Sequence, residues 1–236
     1  MAKLYILEEK FDKAVNILKD GSKFSKPINL VLKSFARMAL EIKEYDLAIA
    51  LYLRVIKLFP KDFYAYNNLG VCYEALNQFD LAKRNYIKAV NLNPSFEDGL
   101  CNLGNLYRSE GDFSQAEKYF LQALKVSKHP SKIYRYLSVI YKFKSPDDKI
   151  LSMMLELKDN KKNVLKDEHE LYFAIYKAYE DLKDLDSSIK YLNLANKTKR
   201  SSLNYSNHHQ KIHFQMMKDV FKNNQAKILE MPKKTF

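Results

Sequence analysis

The chain has 236 residues, 47% of them apolar, and only five Gly and six Pro. The apolar share excludes a disordered chain, and so few turn-forming residues exclude a β-rich one. The formal charge is +12, but Arg occurs only at 37, 54, 84, 108, 135 and 200 and the remaining cations are Lys. Lys scattered over helix exteriors marks a solvated surface, so nucleic acid is not the expected partner.

In chain order, residues 1–28 read as an atypical, incomplete helical pair. Phe11, Ala14 and Leu18 form its second stripe, with Gly21 and Pro27 ending it. Three clear units follow at 29–62, 63–96 and 97–130. In the middle one, the first helix carries Tyr66, Leu69, Gly70 and Tyr73. The second carries Phe79, Ala82, Tyr86 and Ala89, and Asn77 joins the two. Spacings of three and four put each set on one helical face. A shift of 34 residues turns Leu69, Gly70 and Tyr73 into Leu103, Gly104 and Tyr107. It turns Phe79, Ala82, Tyr86 and Ala89 into Phe113, Ala116, Phe120 and Ala123. The opposite shift finds Tyr45, Ala48, Tyr52, Val55 and Pro60 in register, while Phe35 and Ala36 replace the Leu-Gly pair. Gly and Ala let paired helices approach, and the aromatics fill the space beside them.

Pro130 follows two residues after the position of Pro60 and Pro94, which predicts a longer turn there. Residues 131–168 form a degenerate unit and a connection. Tyr134, Leu137 and Tyr141 keep register, with Ser138 in place of the Gly. Ser145 to Asp148 supply a cap, a proline for the first helical position and two acids on the dipole. Ile150 at the usual Ala position predicts that this pair splays apart. A fifth unit at 169–200 carries Tyr172, Ile175, Tyr176 and Tyr179, then Leu185, Ser188, Leu192 and Ala195. A capping helix from about Leu203 to Lys222 and a tail complete 201–236.

A 34-residue helix-turn-helix period with this pattern resembles the tetratricopeptide repeat, or TPR. The resemblance implies an all-α, right-handed superhelical solenoid of antiparallel helix pairs, closed by the C-terminal capping helix. One unit cannot bury its own apolar faces, so neighbours stack. A second resemblance covers residues 170–236. FAIYKAYEDLKDLDSSIKYLNLANKTKR, with Tyr205 and KDVFK after it, is similar to the last repeat of bacterial TPR-sulfotransferases. It implies the alternative of a repeat arm whose catalytic domain is absent from this chain.

Nothing in the chain resembles a catalytic centre. There is no P-loop, GxGxxG, GxSxG or HExxH, and no cofactor is implied. His209 and His213 lie four apart with no third ligand nearby, so no metal is expected. Cys72 and Cys101 have no CxxC pairing and read as reduced thiols. No window approaches the roughly eighteen apolar residues of a membrane span. Acids interrupt MAKLYILEEKFDK too early for a secretory signal, so the expected setting is the cytoplasm.

The resemblance to TPR proteins implies that the first helices line a concave groove. The residues opposite the core positions would then face it: Lys33 and Arg37, then Tyr64, Asn67 and Asn68, then Asn102, Asn105 and Arg108, then Lys132 and Arg135. Asn68 and Asn102 share one repeat position, where an amide can donate and accept at once and so hold an extended peptide backbone. The repeats of O-linked N-acetylglucosamine transferase use asparagine there. The other TPR mode grips a C-terminal carboxylate. Lys33 and Asn68 match it, but Arg37, Asp98 and Asn102 depart from it, and Asp98 would repel the ligand. The expected function is a non-catalytic scaffold for an extended, acidic peptide or protein segment.

Overall fold

This computed structural model describes residues 28–160 and 167–202, and among them every regular element is a helix. The expected N-terminal pair at 1–27 and the capping helix and tail from 203 lie outside the described residues. The helices are α1 Ile28–Glu41, α2 Tyr45–Leu58, α3 Phe63–Ala75, α4 Phe79–Leu92 and α5 Glu97–Ser109. Then come α6 Phe113–Val126, α7 Ser131–Ile140, α8 Lys149–Asp159, α9 Glu168–Asp181 and α10 Leu185–Ser202. Helices pair α1 with α2, α3 with α4, α5 with α6 and α9 with α10, and each second helix of the first three pairs packs on the first helix of the next. The described part of the chain is thus an all-helical solenoid.

The small-to-large pairing holds the repeats together. A β-carbon built on Gly70 would lie 2.6 Å from Tyr86 Cε1, and one on Gly104 would lie 2.6 Å from Phe120 Cε1. Both rings are fully buried, as are Ala82, Ala89, Ala116 and Ala123. Ala36 and Tyr52 share one cluster in the first unit, where a methyl still admits close packing. Phe79 and Phe113 differ from expectation, because both are exposed. They occupy the first residue of α4 and α6, at the rim of the pair rather than between the helices.

The turns inside units share one conformation. Lys43, Asn77 and Gly111 follow one another at the repeat period, and all have positive φ, at 64°, 60° and 81°. Lys183 repeats this in the fifth unit at 62°. The left-handed conformation ends the first helix, and there the amide of the next residue reaches back: Gln78 N–H to the Tyr73 carbonyl, Asp112 N–H to that of Tyr107. A Cβ makes it costly, so Lys183→Gly is expected to stabilise the chain by about 1 kcal/mol, a rise in Tm of about 2–4 °C by calorimetry.

Two expectations for the fourth unit are corrected. The turn before it is not longer: α6 ends at Val126 and α7 begins at Ser131, the same gap as from Leu92 to Glu97. Pro130 itself is the residue before α7, so it terminates nothing and starts the next helix. Nor does Ser145 cap the following helix. Asp148 does, its Oδ1 accepting from the N–H of Ile150 at 2.8 Å and of Leu151 at 3.3 Å. Ser145 to Asp148 form a turn instead, closed by Asp148 N–H donating to the Ser145 carbonyl at 3.1 Å. Proline at its second position suits such a turn, and a carboxylate is the stronger cap.

The fourth pair does come apart, and the helix after it fills the gap. α7 packs against α9 about as closely as helices within a pair do, and α8 rests on α9. Contacts from Lys132 to Asp167, Arg135 to Glu170 and Lys142 to Asp181 advance together along both segments, so α7 and α9 run parallel. Asp181 staples the join. Its carboxylate is 1% exposed and accepts from Lys142 Nζ and Lys177 Nζ, each at 2.6 Å, and from Phe143 N–H at 3.3 Å.

Candidate functional site

The side chains of successive first helices meet one another along a single face. Lys33 on α1 pairs with Asp62, the cap of α3, at 2.8 Å. Asn102 on α5 donates through Nδ2 to Asn67 Oδ1 on α3 at 3.0 Å. The Arg108 guanidinium lies over the Tyr136 ring of α7, 6.0 Å from its centroid, and that of Arg135 lies over Phe173 of α9, 5.8 Å away. Helices α1, α3, α5, α7 and α9 therefore line one continuous strip of surface.

Not every residue assigned to this strip is available on it. Asn67 is 4% exposed, and its amide bridges Asn68 Oδ1 at 3.3 Å and Asn102. It is a fixed part of the wall rather than a contact for a ligand. A buried amide with partners on both ends orients its neighbours, so Asn68 and Asn102 are held in place by it. Asn102 uses its Nδ2 in this bond, and its Oδ1 makes none among the described residues. Asn68 also lies beside the buried Tyr52 hydroxyl, without a well-formed hydrogen bond between them. Burial is the main cause that raises the Tyr52 pKa to about 12. Asn105 Oδ1 is covered and has no partner. Tyr64 is half-exposed and packs on Phe63 and Phe96, with centroids 4.3 and 5.0 Å away.

The cations divide sharply. Lys33 holds Asp62, Arg37 holds Glu41 at 3.4 Å, Lys132 holds Asp167 at 3.0 Å and Arg135 holds Glu170 at 4.0 Å. Among the described residues Arg108 has no carboxylate partner. Three half-buried or exposed apolar groups on the strip escaped the sequence reading: Tyr136, Val139 and Phe173. The first two stand one period after Asn102 and Asn105, so the repeat register itself points to them.

No group of three potential metal ligands gathers among the described residues, and no described helix is long and apolar enough to cross a membrane. Cys72 and Cys101 are free, and burial chiefly drives their thiol pKa values up to about 11 and about 12. Burial in apolar surroundings disfavours the thiolate, the form in which a cysteine is nucleophilic.

The family model of the tetratricopeptide repeat matches residues 63–96 and 97–129. Those two units are tetratricopeptide repeats. A crystal structure of MamA matches this chain with a TM-score of 0.56 at 20% identity, over 72% of this chain and 97% of that one. A second MamA structure matches with a TM-score of 0.56 at 19% identity, over 75% and 96%. The first TPR of Spaghetti (RPAP3), bound to the HSP90 peptide SRMEEVD, gives 0.46 at 23% identity, over 48% of this chain and 91% of that one. No curated protein matches the sequence. At these identities the likeness is one of fold.

Proposed function

We propose that this TPR chain is a non-catalytic scaffold that binds an extended peptide segment along its first-helix strip. The observation that carries the reading is the amide row Asn68–Asn67–Asn102, locked by its own hydrogen bonds across two repeats. An extended peptide exposes N–H and C=O groups that need partners, and amides already fixed in orientation supply them without further loss of freedom. The Asn102 Oδ1 accepts a peptide N–H, and Asn68, one repeat away, takes the next reachable polar group of the backbone. A cytoplasmic setting accords with the two reduced thiols. The alternative of a sulfotransferase repeat arm rests on the sequence similarity of residues 170–236, of which 203–236 lie outside the described residues.

The test is selection of random linear peptides on the immobilised chain, followed by affinity measurement by fluorescence polarisation. Asn68→Ala is expected to weaken the recovered peptides about tenfold and to cost at most about 1 kcal/mol of stability, because it removes the long hydrogen bond from the buried Asn67 Nδ2. Asn102→Ala is expected to weaken binding similarly and also cost about 1 kcal/mol of stability, because it leaves the buried Asn67 carbonyl unpaired. Equal affinity for wild type and a folded Asn68→Ala protein would contradict the reading.

A further inference from the structure

The peptide-binding reading leaves open what the strip selects, and the pairing of its cations narrows that. Six cations are carried by the described first helices: Lys33, Arg37, Arg108, Lys132, Arg135 and Lys177. Five are already neutralised by a carboxylate, Lys177 by Glu180 at 2.9 Å and Asp181 at 2.6 Å, the others as described above. A cation so paired attracts a second acid less than an unpaired one does, because the resident carboxylate already offsets part of its charge. Of these six, Arg108 alone has no carboxylate partner among the described residues, and its guanidinium lies over the Tyr136 ring.

Its surroundings also argue against a long acidic run. Asp98 lies exposed nearly three turns earlier on the same helix, and Glu170 lies beyond on α9. Each would repel an acid placed opposite it. Next to Arg108 the strip is apolar instead: Tyr136 is half-buried, and Val139, one turn further along α7, is 50% exposed.

We infer that the strip selects an extended peptide with one Asp or Glu seated on Arg108 and an apolar side chain beside it, against Tyr136 and Val139. The carboxylate receives the two parallel N–H groups of the guanidinium, a geometry that a Lys in this place would not provide. The inference rests on the peptide-binding reading, but the two fail in different ways.

The probes are the linear peptides recovered on the wild-type chain, compared with the same peptides carrying Gln or Asn in place of each acid. On the wild-type protein, replacing the one critical acid is expected to weaken binding about tenfold, and replacing any other acid to have little effect. Arg108→Gln is expected to lose that discrimination without weakening the neutral peptide. Arg108→Glu is expected to prefer the peptide with Lys at the same position. The substitution within the peptide needs no altered protein, so a variant that fails to fold does not shield the inference. Peptides that bind with no preference for an acid, or a preference that survives in Arg108→Gln, overturn the inference and spare the scaffold. Recovery of no peptide at all overturns both.

Discussion

Phe120→Ala is expected to lower stability by about 3–5 kcal/mol, the largest effect of any single substitution considered. The ring is fully buried, central to the cluster of Leu100, Ala116, Ala123, Ile133 and Leu137, and thus shared by three helices of two repeats. The same ring is the reason that position 104 is glycine. Gly104→Ala on the wild-type background sets a methyl 2.6 Å from Phe120 Cε1, which costs about 1–3 kcal/mol of overpacking. Alanine returns about 1 kcal/mol of helix propensity, so the net loss is modest. Once Phe120 is Ala, the clash is gone and Gly104→Ala is expected to become stabilising by about 1 kcal/mol. Urea melts of the four proteins give the coupling. Additive effects would show that the close approach of α5 and α6 does not depend on this pair.

Asp181→Ala is expected to cost about 2 kcal/mol and to loosen the join between α7 and α9 before the rest of the array. The substitution leaves the Phe143 N–H without its acceptor and removes the anchor of Lys142 and Lys177. Hydrogen exchange should report faster opening around Phe143 and along α9, with α3 to α6 unchanged. The carboxylate also gives a pH dependence of definite sign. Burial alone would raise its pKa, but hydrogen bonds from Lys142, Lys177 and the Phe143 N–H outweigh that and leave it below the usual Asp value. The unfolded chain then binds more protons than the folded one in acid. The staple's contribution is fully present above the ordinary Asp value of about 3.9 and is lost as pH falls through the folded one. Asp181→Asn should therefore flatten the acid limb of the stability curve, and an unchanged limb would contradict the assignment.

The regular units were legible because each of their contacts recurs at one spacing. Gly70 with Tyr86 and Gly104 with Phe120 stand equally far apart in sequence, and both meet in space. The fourth unit broke that logic. Its Ile150 announced a splayed pair, but nothing periodic announced that α9 would close on α7 or that Asp181 would reach back to residues 142 and 143. Such long-range contacts depend on where a connection lets the chain return, and local pattern carries no record of it. On the strip, repeat position located Asn68, Asn102 and Arg108. It did not reveal which side chains were already engaged, because Asp62, Asp167 and Glu170 belong to helix starts whose caps and offsets differ from unit to unit. Asn67 looked equivalent to its neighbour Asn68, yet one residue along a helix turns a side chain by about 100°, enough to move it from the surface into the wall.

The most direct test of the account is amide and side-chain chemical-shift mapping of the chain with a selected peptide. Shifts concentrated at Asn68, Asn102, Asn105, Arg108 and Tyr136, in α3, α5 and α7, are the predicted result. Shifts concentrated instead on the second helices, around the exposed Phe79 and Phe113, would show that partners dock on the opposite surface and would contradict it.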